Sequence, residues 1–475
     1  MLEGCRTLLR SKGRMIRAED ILTPAVGTRA TEFIVGHKLP YVGRFFSAVG
    51  DQFHAVDNPQ GKVALCVAEN RLAHSTLAER VKSFPGFSPD VFMYTSPTGQ
   101  PAFKETLCSF LNEFVFRDCG VNPDQITVAP GCCALLHQLA YLLFEPGDSV
   151  LVPTPFYAAF LHDFLNLGKV VVVDVNSSTE PSMSLTSAAL DDAWERARTQ
   201  GNPPKALLLT NPSNPLGAVY SDEQLLLAAN WVRSRGLHLI VDEIYALSVF
   251  SQQHGATPAF TSVAALLSRR EKQSGAMGMG DHVHCLWSVS KDFGASGFRV
   301  GCLYSHSKPL LKALGSMNDM FQVSNLAQQI VGHVLADHAW VRQFLQESRE
   351  RLHESYDVLC AGLESLPIPL SVVPAQAAIF AFCDFRPMIA AFAKANTPEA
   401  EAGSAHGDEW SQEEAFAQFL FNKTGIVLTP GQSCHCQVPG FFRVCYAWVT
   451  LVSLKDALRR LAALQEEILE ERGEK

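Results

Sequence analysis

Long apolar runs alternate with amphipathic segments through the middle of the chain, from about residue 95 to 330. Five of these runs have the length and composition of buried strands. They cover residues 149–153, 169–173, 206–210, 237–241 and 283–287. Because the runs are almost continuously apolar and helical segments separate them, they predict a mostly parallel sheet covered by helices on both faces. The predicted fold class is therefore α/β, and functional residues are expected beyond the carboxyl ends of the strands.

The pattern after residue 335 is that of a smaller α+β domain. It predicts, in chain order, a long charged helix at 339–365, short strands at 378–382 and 442–445, and a last amphipathic helix from Leu454. Short strands mixed with long helices do not continue the alternation seen before this point. We therefore predict that 336–475 forms a C-terminal small domain.

The remaining boundaries follow from weaker signals. Residues 1–50 show little periodicity and predict an N-terminal arm with a short helix, while 51–94 is assigned to the N-terminal part of the small domain and 95–335 to the large domain. Residues 396–412 are rich in Ala, Glu, Gly and Ser, which predicts a mobile surface insertion. A second flexible loop is predicted at 274–281.

Composition and charge narrow the classes of function. The chain has 475 residues, of which 47% are hydrophobic and 18% charged, as in globular proteins. Its formal net charge of −9 argues against nucleic-acid binding, which needs a basic face. No run of about 18 consecutive apolar residues predicts a membrane span.

The cysteines and the N-terminal charges bear on the compartment. The 13 cysteines are an odd number, and several lie inside apolar runs, which favours a reducing interior over a disulfide framework. We predict a cytoplasmic protein. The N-terminal segment carries five basic residues: Arg6, Arg10, Lys12, Arg14 and Arg17. Organelle targeting is the alternative, but serine is sparse and Glu19 and Asp20 follow closely, which favours a solvated tail.

Asp242 and Lys291 carry the strongest chemical signal. Asn211, Asp242 and Ser288 each follow an apolar run directly. A buried carboxylate needs a cation to stay ionised, and a protonated pyridine nitrogen would supply it. Lys291 is flanked by small residues, can form a Schiff base with an aldehyde, and can then act as general base at Cα. Together they indicate a pyridoxal 5'-phosphate (PLP) enzyme that binds an amino acid.

Each of these two residues has a simpler explanation when it is taken singly. Asp242 would be a helix cap or the partner of an arginine, and Lys291 a solvated surface lysine. Burial near Arg299 is expected to lower the pKa of Lys291 from about 10.4 so that it can act as a base. Their order in the chain, with Asn214 upstream of Asp242 and Lys291 downstream of it, favours the cofactor site.

Other residues complete the predicted cofactor site. Gly131, Cys132 and Cys133 open an apolar helix, and free amides at a helix N-terminus favour an anion such as phosphate. Ser288, Ser290 and Arg299 would add hydroxyl and guanidinium contacts. Tyr245 and Asn214 can reach the phenolic oxygen of PLP, and Tyr157 is placed to stack on its ring. The alternatives are an N-cap for the glycine and a core position for Tyr157.

Arg443 lies inside the apolar segment 441–445. An arginine in such a strand requires an anionic partner that it can bind with two hydrogen bonds. The α-carboxylate of an amino acid would serve, and a structural salt bridge is the alternative. Arg443 is therefore a candidate substrate-binding residue.

Two motifs suggest rival sites. Ser288 and Lys291 fit the Ser-x-x-Lys motif of β-lactamase-type hydrolases, and Lys423-Thr424-Gly425 fits another of their motifs, but the middle Ser-Asp-Asn is absent. Cys434-His435-Cys436 suggests a zinc site, yet no second ligand pair is evident. We therefore predict no metal.

Four segments together resemble the fold type I PLP enzymes of aminotransferase class I/II, and more narrowly the 1-aminocyclopropane-1-carboxylate (ACC) synthase-like branch. The resemblance spans about residues 60 to 465, and its most specific segments are 65–72, 211–217, 288–301 and 429–436 leading into Arg443. It implies a large PLP-binding domain, whose mostly parallel sheet lies between helices, plus a smaller α+β domain. It also implies PLP as the cofactor and homodimers in which the neighbouring subunit completes each site.

The resemblance also implies individual roles. Lys291 would bind PLP, Asp242 would pair with the pyridinium, and Arg443 would bind the substrate carboxylate. Asn214 and Tyr245 would contact the phenolate, while Ser288, Ser290 and Arg299 would hold the phosphate. Glu69 matches an acidic residue associated with S-adenosylmethionine in true synthases.

Two departures concern the substrate side. Plant synthases have a tyrosine two residues before the glycine equivalent to Gly99, where this chain has Pro97; Tyr94 instead matches the aminotransferase arrangement. Ala378 replaces a family glycine, and its methyl is expected to narrow the substrate side. The predicted function is an ACC synthase-like PLP enzyme that removes the Cα proton of an α-amino acid. The alternatives are an aminotransferase with a 2-oxo acid acceptor and a non-catalytic PLP-fold protein.

Overall fold

The computed structural model describes residues 9–11, 14–16, 30, 39–176, 178, 180–250, 260–396 and 409–471. Most of the predicted insertion at 396–412 lies outside these residues, but its last four residues, 409–412, are helical. Of the N-terminal arm, two short strands and one helix are described. In the predicted loop at 274–281, Gly280 begins a single turn of 3₁₀ helix.

The strands of the described residues are numbered in chain order. They are β1 (Leu9–Ser11), β2 (Arg14–Ile16), β3 (Val63–Ala64), β4 (Ile126–Ala129), β5 (Ser149–Pro153), β6 (Val171–Val175), β7 (Pro204–Thr210), β8 (His238–Asp242), β9 (Val283–Ser288), β10 (Gly301–Ser305), β11 (Ser371–Val372), β12 (Ala381–Asp384), β13 (Ile426–Val427), β14 (Thr429–Pro430) and β15 (Phe441–Val444).

The α-helices are numbered in the same way. They are α1 (Tyr41–Val49), α2 (His74–Lys82), α3 (Pro101–Phe114), α4 (Cys132–Leu142), α5 (Phe160–Leu165), α6 (Ser187–Thr199), α7 (Asp222–Ser234), α8 (Val263–Ser274), α9 (Val289–Asp292), α10 (Lys308–Met317), α11 (Asn325–Ala336), α12 (His338–Glu364), α13 (Arg386–Asn396), α14 (Glu409–Thr424) and α15 (Leu451–Glu471).

A seven-stranded sheet forms the centre of the fold, in the order β4-β10-β9-β8-β7-β5-β6. The pairs between β6 and β9 are parallel, whereas β10 runs antiparallel to both of its neighbours. The predicted mostly parallel sheet is confirmed, with small shifts in strand bounds. The sequence prediction omitted β4 and β10, which complete one edge.

Side-chain caps define where several helices of this region begin. Thr186, Ser221 and Ser262 precede α6, α7 and α8, and each accepts a hydrogen bond from a backbone N–H of the first turn. Apolar residues of the helices then pack on the two faces of the sheet, in two separate core clusters. The sheet is therefore covered on both sides, as its continuous apolar strands require.

A four-stranded antiparallel sheet, in the order β11-β12-β15-β14, lies in the C-terminal part of the chain. Two of these strands, β12 and β15, correspond to the two predicted ones, and β11 and β14 were not predicted. The first predicted strand was also displaced, because β12 begins at Ala381 and not at residue 378. Ala378 has a φ of +74°, which is incompatible with an extended strand. The long helix α12 and the last helix α15 pack against each other beside this sheet.

Two further findings concern compartment and membrane. The twelve cysteines within the described residues are unpaired. Among the helices that the structure describes, none has the length and apolar character needed to cross a bilayer.

Candidate active site

A cavity lies at the carboxyl ends of the central strands. Its walls come from the start of α4, the ends of β7 and β8, the turn of α9 and the segment that follows it. The lining includes nine of the predicted site residues: Cys132, Cys133, Tyr157, Asn214, Asp242, Tyr245, Ser290, Lys291 and Arg299. Residues that are up to 167 positions apart in the sequence therefore meet at the edge of the sheet where ligands of such folds bind.

Lys291 lies in the single turn of α9, directly after β9. The Ser288 side chain caps this turn by accepting the backbone N–H of Ser290 at 3.1 Å. The Lys291 Nζ donates a hydrogen bond to the backbone carbonyl of Ala68 at 2.6 Å. Burial lowers the pKa of Lys291, and the positive charge of Arg443 lowers it further. The sequence indicated Arg299 as the arginine that lowers the pKa of Lys291, whereas in the structure Arg443 contributes this effect.

Asp242 is the last residue of β8, and its side chain faces the same cavity. Only 6% of the residue is exposed, and its Oδ1 atom is buried without a hydrogen-bond partner among the described residues. Burial raises the pKa of Asp242 to about 7, while the Ile244 backbone N–H, the Cys132 thiol and the charge of Lys291 lower it. An unpartnered buried carboxylate oxygen is costly, and a pyridinium N–H would satisfy it. The PLP ring fits this end of the cavity.

The other end of the cavity suits an anion. Gly131 precedes α4 with a φ of +87°, and a Cβ there would lie 2.6 Å from Arg299 Nη2. The glycine therefore leaves room for the guanidinium, which donates 2.8 Å hydrogen bonds to the carbonyls of Pro130 and Ser296. The first-turn amides of α4 have no intrahelical acceptors. This donor set fits the phosphate of PLP.

Asn214 connects the cofactor cavity to Arg443. Its Nδ2 donates to the Tyr245 hydroxyl at 3.4 Å, and its Oδ1 accepts from Arg443 Nη1 at 3.0 Å. Arg443 Nη2 donates to the Cys66 carbonyl at 3.0 Å and to the Thr429 hydroxyl at 3.2 Å. All three acceptors are neutral.

Arg443 itself is only 2% exposed, and its Nε is buried without a partner among the described residues. The structural salt bridge that we had considered is therefore absent from the described part of the chain. A buried guanidinium with only neutral acceptors retains its affinity for a carboxylate.

Five predicted residues do not line this cavity: Gly131 and Arg443, described above, and Ser288, Glu69 and Tyr94. The hydroxyl oxygens of Ser288 and Ser290 are 2.7 Å apart, and Ser290 lies between Ser288 and the cavity. The Ser288 hydroxyl donates a hydrogen bond to the Val300 carbonyl at 2.8 Å. Glu69 accepts a hydrogen bond from the hydroxyl of Ser296, which does line the cavity. Tyr94 is 99% exposed and does not contribute to the cavity of its own chain.

The structure corrects the interpretation of Ala378. Its methyl is fully buried in an apolar cluster and does not line the cofactor cavity, so the expected narrowing is wrong for this cavity. Its backbone N–H donates to the Ser248 carbonyl, and its carbonyl accepts from the Tyr446 hydroxyl at 3.1 Å. Position 378 joins backbone segments instead of shaping the space around the ligand.

The residues of the two rival motifs have other partners in the structure. The Ser288 hydroxyl is occupied as a helix cap and fully buried, while Lys423 pairs with Glu467 in another part of the molecule. His435 pairs with Asp174 and stacks on Phe156, with 4.4 Å between ring centroids. No group of three metal-ligating side chains was found within the described residues.

Sequence reasoning missed Asp163. It lines the cavity, is 3% exposed, and has a buried Oδ2 with no partner among the described residues. Burial and the charge of Asp242 raise the pKa of Asp163 to about 8, although a hydrogen bond from Cys133 lowers it. A lone acid in the otherwise apolar segment of α5 was the available signal.

The fold and this site define a PLP-dependent enzyme of fold type I. The comparisons support the same class. Residues 60–461 match the family described as Aminotransferase class I and II, and the chain belongs to that family. PLP is the cofactor of this enzyme class.

Similar proteins carry more specific names. The chain is 30% identical over 455 residues to 1-aminocyclopropane-1-carboxylate synthase 5 of Oryza sativa subsp. japonica, covering 93% of this chain and 80% of the relative. It is 30% identical to synthase 6 of Arabidopsis thaliana, with 88% and 81% covered. Its fold is similar to a Thermus thermophilus aspartate aminotransferase mutant, with a TM-score of 0.70, 21% identity, and 93% and 99% of the two chains covered.

Proposed function

We propose that this chain is an ACC synthase-like enzyme that takes an α-amino acid and removes its Cα proton with Lys291. The observation that carries the proposal is a cavity lined by a buried lysine and an unpartnered buried Asp242 oxygen, with Arg443 bound to Asn214 of its lining. Arg443 has no carboxylate partner among the described residues. The curated relatives are named 1-aminocyclopropane-1-carboxylate synthases, which places the proposal in this branch.

Each group has a separate task in the proposed reaction. PLP would supply an electron-withdrawing ring, held by Asp242 at the nitrogen, by Asn214 and Tyr245 at the phenolic oxygen, and by Arg299 at the phosphate. Arg443 would orient the substrate carboxylate. Lys291 is the base, and its burial favours the neutral amine that accepts a proton. Tyr157 would close one side of the cavity against water.

A second candidate function is amino-group transfer to a 2-oxo acid. Pro97 stands where plant synthases have a tyrosine, and Tyr94 matches the aminotransferase arrangement. This difference concerns substrate handling and leaves the proposed cofactor site unchanged. The two functions therefore share Lys291 and Asp242 and differ in the fate of the substrate.

The test separates cofactor binding from reaction type. Borohydride reduction of the PLP-loaded protein should attach the cofactor to the peptide that contains Lys291, and the Lys291→Ala variant should remain folded and unlabelled. Label elsewhere would overturn the assignment. The loaded enzyme is then incubated with an amino-acid panel and with S-adenosylmethionine. Methylthioadenosine release indicates the synthase, and 2-oxo acid accumulation indicates the aminotransferase.

We further propose a homodimer in which Tyr94 of the partner subunit completes each site. An exposed apolar ridge supports it: Phe92 is 79% exposed and Tyr94 99% exposed, and Phe87 packs edge-on against Phe92 at 5.6 Å. Exposed aromatic clusters of this kind mark interaction surfaces. Sedimentation of the loaded enzyme should give twice the chain mass. A monomer with full activity would refute the proposal.

The domain division and the compartment are also proposals. We propose a large domain at 95–335, because the seven-stranded sheet lies within it, and a small domain formed by 51–94 and 336–475, because the four-stranded sheet lies within the latter. The unpaired buried cysteines support a cytoplasmic location. Fractionation of cells that produce the protein would test the location.

A further inference from the structure

Asp292 directly follows Lys291 but does not line the cofactor cavity. The residue is 1% exposed, and its carboxylate accepts three hydrogen bonds. Oδ2 accepts from Trp287 Nε1 at 3.0 Å and from the Leu247 backbone N–H at 3.1 Å, while Oδ1 accepts from the Ser248 hydroxyl at 2.6 Å. Both carboxylate oxygens are therefore used inside the protein.

The three donors belong to two different segments. Trp287 lies on β9, four residues before Lys291, whereas Leu247 and Ser248 follow Tyr245 by two and three residues. The carboxylate of Asp292 consequently ties the turn that carries the lysine to the loop that carries the tyrosine. Its hydrogen bonds to Leu247 and Ser248 are direct contacts between these two segments.

The network continues beyond the central sheet. The Ser248 carbonyl accepts from the Ala378 N–H at 3.2 Å, and Arg349 Nε on α12 donates to the Leu247 carbonyl at 2.9 Å. The Tyr245 loop is thus held from three directions, by Asp292, by Ala378 and by α12. Of these three contacts, the one from Asp292 is the one that reaches the turn of Lys291.

Three donors on two oxygens suit the ionised carboxylate. Burial raises the pKa of Asp292 to about 7, but the hydrogen bonds from Ser248, Trp287 and Leu247 lower it, and Arg349 adds a smaller effect in the same direction. A protonated carboxyl could keep these contacts only by donating to the Ser248 hydroxyl, and it would lose the negative charge that strengthens the hydrogen bonds from Trp287 and Leu247. An amide in place of the carboxylate would lose the same charge.

We propose that Asp292 is the positioning residue of Lys291: it fixes the Lys291 turn against the Tyr245 loop so that amine and phenol keep a constant separation. The inference rests on the proposed function, because it assigns Lys291 the role of base. Asp292 contacts neither the cavity nor the proposed cofactor, so it acts through its neighbour.

The decisive variant is Asp292→Asn, which keeps the shape of the side chain and turns one acceptor into a donor. We expect kcat to fall about 10- to 100-fold, as the loss of one buried charge-assisted hydrogen bond implies. KM for the amino acid should change less than about twofold, because Arg443 lies in another sheet. The pH at which the visible absorbance of the PLP-loaded enzyme titrates should also shift.

Glu243→Gln is the matched control. Glu243 is wholly buried, accepts the Val263 N–H at 2.8 Å, and does not line the cavity. Its replacement should lower the melting temperature without moving kcat or the absorbance titration. Equal catalytic losses in both variants at matched stability would reduce Asp292 to a structural role and overturn the proposal.

Ser248→Ala covers the case in which Asp292→Asn does not fold. It removes one of the three donors and should give a smaller change of the same kind. Wild-type kcat and titration in Ser248→Ala would refute the inference, whether or not Asp292→Asn folds. Borohydride labelling of Lys291 in the wild-type enzyme tells the two failures apart, because its absence refutes the proposed function itself.

Discussion

Gly131→Ala is predicted to weaken PLP binding by displacing Arg299. A Cβ at residue 131 would lie 2.6 Å from Arg299 Nη2 and 3.2 Å from its Cζ, which is closer than real contacts allow. The guanidinium is the free end of a flexible side chain, so it will move and give up its hydrogen bonds to Pro130 and Ser296. The clash would thereby displace the guanidinium that we propose as a ligand of the PLP phosphate.

The magnitude has two separable parts. The φ of +87° at Gly131 is unfavourable for alanine and should reduce the free energy of unfolding by about 1–3 kcal/mol. Loss of a charge-assisted contact with the phosphate, at about 1.5–3 kcal/mol, should raise the Kd for PLP by about 10- to 150-fold. Stability and affinity are therefore both expected to fall, for different reasons.

Gly147→Ala separates these parts. Gly147 has a φ of +94°, but nothing lies within 4 Å of a Cβ at that position. We expect a loss of stability comparable to that of Gly131→Ala and an unchanged Kd. Thermal denaturation of the apo forms and titration of each apoprotein with PLP, followed by absorbance, give the two quantities. Wild-type affinity in Gly131→Ala, or an equal loss of affinity in Gly147→Ala, would show that the glycine does not act through Arg299.

Three further predictions address the substrate, the ring nitrogen and acid stability. Arg443→Ala should raise KM for the amino acid about 100-fold with a smaller change in kcat. The KM of Arg443→Lys should lie between those of the wild type and Arg443→Ala. Unchanged steady-state kinetics would place carboxylate binding elsewhere. Asp242→Asn should slow exchange of the substrate Cα hydrogen with deuterated water by at least about 100-fold, measured by NMR, while Lys291 remains labelled by borohydride. Burial lowers the pKa of His284 from 6.5 to about 3, and it lowers the pKa of His238, which is hydrogen-bonded to His284, to about 4. The folded state therefore favours neutral rings, and the free energy of unfolding should decrease as pH falls below about 6.5. His284 alone should account for a decrease of about 2 kcal/mol at pH 5. Chemical denaturation between pH 7 and 5 measures this slope, and an equally steep slope in His284→Gln would contradict the assignment.

The parallel part of the central sheet was predictable because each strand is apolar on both faces. The edge strands β4 and β10 were harder to predict. Gly301 and Cys302, at the start of β10, continue the segment 288–301, whose pattern does not predict a strand. The strand near residue 378 was displaced because a positive φ at an alanine has no local sequence signal. Such positions are determined by tertiary hydrogen bonds, here from Ala378 to the Ser248 carbonyl.

The residues of the site were also predictable only where a local sequence pattern reveals them. Asp242 and Lys291 could be predicted because each lies at or just beyond the carboxyl end of a buried strand. Parallel strands bring these ends together. Asp163 and Asp292 could not, because an acid in an apolar segment does not reveal whether it faces a ligand or satisfies buried donors. The neutral environment of Arg443 was equally hidden, since Cys66, Asn214 and Thr429 are distant in sequence.

Arg443 lies in the four-stranded sheet, whereas Lys291 follows a strand of the seven-stranded sheet, and the Asn214 side chain hydrogen-bonds both Arg443 and Tyr245. In the proposed function, the residue that binds the amino acid and the residue that holds the coenzyme therefore belong to different layers of the fold. Substitutions around Arg443 would then alter amino-acid binding and leave the contacts that hold the coenzyme in place.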